Sequence, residues 1–93
     1  MSEPIRIKAD HPSLAGHFPG DPVVPGVVLL DCVARALERD GGATIARIHA
    51  VKFHAPLLPR QDAELSLARE GVRVRFRIER DGRPILSGEA ELA

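Results

Sequence analysis

The 93-residue chain is 44% hydrophobic and 28% charged, with 13 basic against 13 acidic side chains. A single domain of this length buries only a little over ~60% of its unfolded surface, so the lone chain is marginal and association is expected. A formal net charge of zero argues against nucleic acid or an anionic membrane as the main partner, since both select a basic surface.

The first residues, Met1, Ser2, Glu3, Pro4 and Ile5, supply neither a basic nor an apolar signal region, so no signal peptide is expected. No stretch approaches the ~20 apolar residues of a membrane span. Residues 5–9 (Ile5-Arg6-Ile7-Lys8-Ala9) alternate apolar and polar, which predicts a short strand with one solvated face. Residues 11–25 hold Pro12, Pro19, Pro22, Pro25, Gly16 and Gly20, a density that forbids a long helix or strand and predicts a stiff loop.

A helix is predicted from Pro25 or Gly26 to about Glu38, because proline is tolerated in the first turn and Asp40-Gly41-Gly42 stops it. Val27, Val28, Leu29, Leu30, Cys32, Val33, Ala34, Ala36 and Leu37 cover nearly every direction around its axis. Such a helix is expected to be buried on most sides, inside a wrapped sheet. The remainder reads as strands: 44–54, a turn at 56–59, then 63–69, a turn at Glu70-Gly71, and 72–78 with an unbroken period of two. Asp81-Gly82 marks a hairpin turn, and 84–92 closes the chain. One helix followed by an antiparallel meander is an α+β arrangement in a single domain spanning 1–93.

Candidate chemistry is concentrated early. His17 opens the stiff loop and Asp31 is the one acid on the apolar helix, so a base and an acid are set apart by rigid backbone. Flanked by Leu30 and Cys32, Asp31 is expected to be buried and held protonated. The blander readings are a loop histidine that only bonds the backbone and a surface helix acid. Cys32, the single cysteine, cannot form an intrachain disulfide and points to a reducing, cytoplasmic setting. It reads as a small buried apolar residue. His11, His49 and His54 fit no zinc spacing, and His49 and His54 have opposite strand parity, so no metal site is expected. Arg73, Arg75 and Arg77 share one strand face, read as a solvated surface or as a docking face for an acidic carrier, helped by Arg35, Arg39 or Arg60.

The stretch Gly16-His17-Phe18-Pro19-Gly20-Asp21-Pro22-Val23-Val24-Pro25-Gly26-Val27, with an acid on the helix that follows, resembles the bacterial 3-hydroxyacyl-(acyl carrier protein) dehydratases. Residues 51–59 and 85–92 are similar to that family's strand with a Pro-x-x-Pro turn and to its closing strand. The resemblance implies the hot-dog fold, a curled antiparallel sheet around one helix. It implies His17 as catalytic base, Asp31 as catalytic acid, and Gly26 as the residue whose N–H binds the thioester carbonyl. Phe18, Pro25, Val27 and Arg35 then surround the substrate. It implies no cofactor, an acyl carrier protein bearing a phosphopantetheine-linked acyl chain as partner, and a homodimer or larger assembly with the site at the interface.

Two departures leave alternatives open. The family commonly has a Gln one turn after the acid, where this chain has Arg35. Asp and Arg at i and i+4 share a helix face and can pair. Pairing favours the carboxylate and suits activation of water, as in a hot-dog acyl thioesterase. Arg35 could instead reach outward to a carrier phosphate. The chain is also short for the family, which suits a short or unusual acyl chain, a polyketide or polyene pathway, or a non-catalytic acyl-binding subunit completed by a partner.

Overall fold

The computed structural model describes residues 2–8 and 23–93. The chain runs through β1 (Ser2–Ile5), α1 (Gly26–Arg39), β2 (Ile45–Phe53), β3 (Ala63–Glu70), β4 (Arg73–Arg80) and β5 (Arg83–Leu92). The strands form one antiparallel sheet in the order β1-β3-β4-β5-β2. This is the α+β hot-dog arrangement, with α1 against the sheet's inner face.

Strand alternation sets that inner face. Val74, Phe76 and Ile78 of β4 are buried, and Arg73, Arg75 and Arg77 between them are exposed. The register carries the pattern across the sheet, Leu65 opposing Ile78, Leu67 opposing Phe76, and Ala90 opposing Val74. Gly88 faces Phe76 across the ladder. A Cβ there would collide with the Ala50 carbonyl oxygen and the Phe76 ring, so only glycine lets β5 pass this close to both. The β4–β5 hairpin turns on Asp81 (φ 51°) and Gly82 (φ 76°), the two positive angles that a type I′ turn requires.

The helix packs Val28, Leu29, Val33, Ala36 and Leu37 into the same core as Leu65, Phe76, Ile78 and Leu86. Fully burying one such aliphatic side chain contributes about 1.5–3 kcal/mol, so this stripe and not helix propensity holds α1 in place. At its end the carbonyls of Ala36, Leu37 and Glu38 accept the N–H groups of Asp40, Ala43 and Gly42. Gly41 (φ 102°) and Gly42 (φ 73°) supply the left-handed backbone that permits it.

Two sequence expectations are corrected here. The helix is not buried on most sides. Val27, Asp31, Arg35 and Glu38 form an exposed stripe, with Val27 71% exposed. The chain's own five-stranded sheet covers one face of the helix, and the opposite face is exposed in the single chain. The first strand lies at Ser2–Ile5 and not at residues 5–9. Pro4 is accommodated because β1 is an edge strand, paired only with β3 among the described residues. The alternation that suggested a longer strand has another cause. Ile7 is buried outside the ladder, where its carbonyl accepts the Arg60 N–H, and Arg6 pairs with Asp62 at 2.7 Å.

Candidate active site

The start of α1 presents backbone donors. Pro25 is the N-cap, extended at φ −60° and ψ 145°, and no side chain caps the helix. Its carbonyl accepts the N–H of Val28 at 3.0 Å and of Leu29 at 3.4 Å. Among the described residues no acceptor takes the N–H groups of Gly26 and Val27, and no acidic side chain lies in the first turn. Two donors without a partner among the described residues, at the positive end of a helix dipole, form a place for developing negative charge.

Phe53, at the end of β2, lies against Gly26. A Cβ on Gly26 would be 2.5 Å from Phe53 Cε1 and 2.6 Å from Cζ, so the ring rests directly against the glycine. Phe53 is 59% exposed. With Phe53, the residues Val24, Leu29, His54, Ala55, Pro56 and Leu57 line a shallow, mostly apolar pocket of about 300 Å³. The Val24 N–H donates to the Leu57 carbonyl at 2.8 Å and ties the segment before the helix to the turn after β2. Sequence reasoning missed Phe53 as a site residue. The available signals were its position in the strand that resembles the family's and the presence of only three Phe and no Trp or Tyr in the chain.

Asp31 lies five residues beyond Gly26, about 7.5 Å along the helix axis. Against the expected burial, its side chain is 56% exposed in the single chain, and Arg35 Nε forms an ion pair with its Oδ2 at 2.8 Å. Hydrophobic neighbours in sequence point to other sides of a helix, so Leu30 and Cys32 turn toward the protein while Asp31 shares the outer stripe with Val27 and Arg35. His17 and Phe18 lie outside the described residues. Of the seven sequence candidates, the structure therefore brings together Pro25, Gly26, Val27, Asp31 and Arg35 along one helix.

The other candidates scatter. His49 Nε2 lies 3.4 Å from Glu91 Oε1, and His54 Nε2 lies 2.7 Å from Ser87 Oγ. Arg73 pairs with Glu89 at 3.4 Å and Arg77 with Glu79 at 2.9 Å, which offsets much of the positive charge on that strand face. Burial, and secondarily the Asp31 carboxylate, push the half-buried Cys32 thiol above its ordinary range. A thiol kept protonated is a poor nucleophile. Alkylation of the native protein at pH 7.5 is expected to be at least ~10-fold slower than that of free cysteine, measured by mass after timed iodoacetamide exposure. Equal rates would show an accessible thiolate.

No helix among the described residues is long and apolar enough to cross a membrane. On its free side β2 has no strand partner among the described residues, and Val27, Ile48 and Phe53 leave large apolar side chains exposed nearby.

The likeness to known proteins is extensive. A family model described as ApeI-like, ApeI dehydratase, matches residues 2–89. The 3-hydroxyacyl-[acyl-carrier-protein] dehydratase FabZ of Haemophilus influenzae (strain PittEE) is 37% identical over 72 residues, covering 67% of this chain and 49% of that protein. FabZ of Ruminiclostridium cellulolyticum is 30% identical over 102 residues, covering 95% of this chain and 72% of that protein. The chain thus spans about half the length of the Haemophilus relatives. Among solved structures, the dehydratase heterocomplex ApeI:P from Xenorhabdus doucetiae superposes with TM-score 0.88 at 25% identity, covering 99% of this chain and 85% of that one. An uncharacterised protein from Erwinia carotovora subsp. atroseptica superposes at 0.85 with 29% identity, covering 99% and 81%. A gentisyl-coenzyme A thioesterase, BH1999, shares the fold at TM-score 0.68 and 16% identity, covering 100% and 88%. With a family model matched along nearly its whole length, the chain belongs to the ApeI-like dehydratase family.

Proposed function

We propose that this chain removes water from a (3R)-3-hydroxyacyl thioester carried on an acyl carrier protein, giving the trans-2-enoyl thioester in fatty acid or related polyketide or polyene synthesis. The observation that carries this reading is the pair of N–H donors at Gly26 and Val27, without an acceptor among the described residues, set beside a mostly apolar pocket and on the helix that bears Asp31. The C2 proton of a thioester is weakly acidic, and its removal places charge on the carbonyl oxygen. Donors aimed at that oxygen stabilise the enolate. His17 is the base, since imidazole titrates near neutral pH and accepts the C2 proton without prior activation. Asp31 acts on the 3-hydroxyl that leaves. The family membership and the dehydratase names of the relatives support the same chemistry.

The second hot-dog chain that completes the site is read as another copy of this one. Its seat is the edge of β2 that has no strand partner among the described residues, with the exposed stripe of α1, where burial of Val27, Ile48 and Phe53 would drive association. In that arrangement His17 comes from one chain and Asp31 from the other. The Xenorhabdus relative forms a heterocomplex, so a different hot-dog partner is the competing arrangement. The lone Cys32 supports a cytoplasmic setting.

One observation favours a second activity. A carboxylate paired with Arg35 suits activation of water, the step of a thioesterase. Incubating the purified protein with a 3-hydroxyacyl-carrier thioester and weighing the products separates the two. Loss of one water from an intact thioester supports dehydration. Release of the free hydroxy acid supports the thioesterase, and an unchanged thioester across chain lengths counts against both.

A further inference from the structure

The outer face of the sheet, opposite α1, holds an open pocket of about 530 Å³. Strand register builds it. Ser66, Arg77, Ser87 and Lys52 stand in one row across β3, β4, β5 and β2, and Ala68, Arg75, Glu89 and Ala50 stand in the next. All eight line the pocket. Neighbouring strands lie about 4.8 Å apart, so Arg77 and Lys52 flank Ser87 closely from either side. Serine and alanine make a low floor, and the long cations wall it.

Charge is concentrated here. The chain as a whole has a formal net charge of zero, yet this lining sets three cations against one acid, an excess of two charges. That acid, Glu89, is paired with Arg73 at 3.4 Å. Arg77 pairs through Nε with Glu79 at 2.9 Å and keeps its terminal nitrogens. Lys52 and Arg75 have no hydrogen-bond or ion-pair partner among the described residues. His54 Nε2 lies 2.7 Å from Ser87 Oγ. With the Nε2–H as donor, the serine keeps its own hydroxyl hydrogen for a ligand.

We propose that this pocket binds a phosphate monoester. The site stands apart from the thioester chemistry on α1 and does not depend on it. A phosphate monoester is close to a dianion at neutral pH and offers three strong acceptor oxygens, which matches the excess of two charges. Guanidinium groups grip phosphate with paired N–H donors, and an ammonium adds a point charge. The hydroxyls of Ser66 and Ser87 supply neutral donors from the floor. A carboxylate brings half the charge and one oxygen fewer, so it leaves a cation unanswered. The volume is that of a site for a small organic molecule. The organic group of the ester therefore lies over Ala50 and Ala68, where the floor is lowest.

Phenyl phosphate, titrated into the full chain at neutral pH and followed by amide-resolved NMR, tests this. Saturable shifts at Ser66, Arg77 and Ser87 are expected, with a Kd of about 1 mM or tighter. Benzoate, a monoanion of similar shape, should bind at least ~10-fold more weakly, and inorganic phosphate, which lacks the ring, more weakly than the ester. Lys52→Met and Arg75→Met should each weaken phenyl phosphate by about 10-fold. Their melting temperatures should stay within about 2 °C of the parent, since neither side chain has a partner to lose. Shifts confined to Gly26 and Val27 would move the phosphate to the helix N-terminus and overturn the proposal. Unsaturated shifts, equal affinity in the parent and both variants, or benzoate binding as tightly as the ester would overturn it as well.

Discussion

Replacing His17 by alanine is expected to lower dehydration by about 10³-fold or more while the chain remains folded and associated, because a positioned general base contributes about 10²–10⁴-fold. That corresponds to about 4 kcal/mol of transition-state stabilisation. Pro19, Pro22 and Pro25 follow His17 in the sequence, and Val24 is tied to Leu57 by a backbone hydrogen bond. Among the described histidines, His49 Nε2 lies 3.4 Å from Glu91 Oε1, and His54 Nε2 lies 2.7 Å from Ser87 Oγ. If the return of the proton to the leaving oxygen also falls to His17, one substitution removes both transfers, which places the expected loss at the upper end. Rates on a 3-hydroxyacyl-carrier thioester, with circular dichroism to verify folding, measure it. Activity within about tenfold of the parent would remove His17 from the chemistry.

Gly26→Ala is expected to cost about 10²-fold in kcat/KM with no loss of stability, because disturbing an oxyanion-type donor site costs about 10²–10³-fold. Two opposing consequences follow from one methyl group. For the fold, alanine is the better helix former by about 1 kcal/mol. The colliding atoms also belong to the outer end of Phe53, an exposed side chain that can swing aside. For the site, the methyl group occupies the space beside the two free N–H groups and drives the ring from its seat. A thioester carbonyl then loses its approach to the donors. Thermal unfolding and kinetics together separate the two effects, and Phe53→Ala in the Gly26→Ala background should recover part of the rate. Parental kinetics in Gly26→Ala would place the carbonyl elsewhere.

Much of the fold was legible because local and tertiary signals agree in it. The unbroken alternation before Ile78 is the inner and outer face of β4. Asp81-Gly82 forms its hairpin with both angles positive, and the Asp40-Gly41-Gly42 stop lies at the end of α1. Where the reading failed, one residue answered to two demands. Ile5 and Ile7 are apolar because their side chains meet the core, although only Ile5 belongs to the ladder. The helix is apolar on more sides than its own sheet can cover, and Val27 is left facing outward. A sequence records that a residue needs cover without saying which chain supplies it.

The site shows the same division. Pro25, Gly26, Val27, Asp31 and Arg35 could be placed on one element from spacing alone, and the i, i+4 pairing of Asp31 with Arg35 was foreseeable from helix geometry. Within the single chain Asp31 is exposed because neighbours in sequence diverge by about 100° around a helix axis, so Leu30 and Cys32 report nothing about its side. Phe53 escaped notice because its contact with Gly26 is made across 27 positions of chain by a sheet edge, and no local pattern encodes that approach.

The claim that one chain's base and another chain's acid act on the same thioester is tested most directly by a heterodimer of His17→Ala and Asp31→Asn chains. Co-expressed with different tags and purified through both, it holds one site with neither substitution and one with both. Its dehydration rate is predicted to be about half that of the parent dimer, with each singly substituted homodimer nearly inactive. A heterodimer as inactive as the two homodimers would contradict a site shared between copies of this chain.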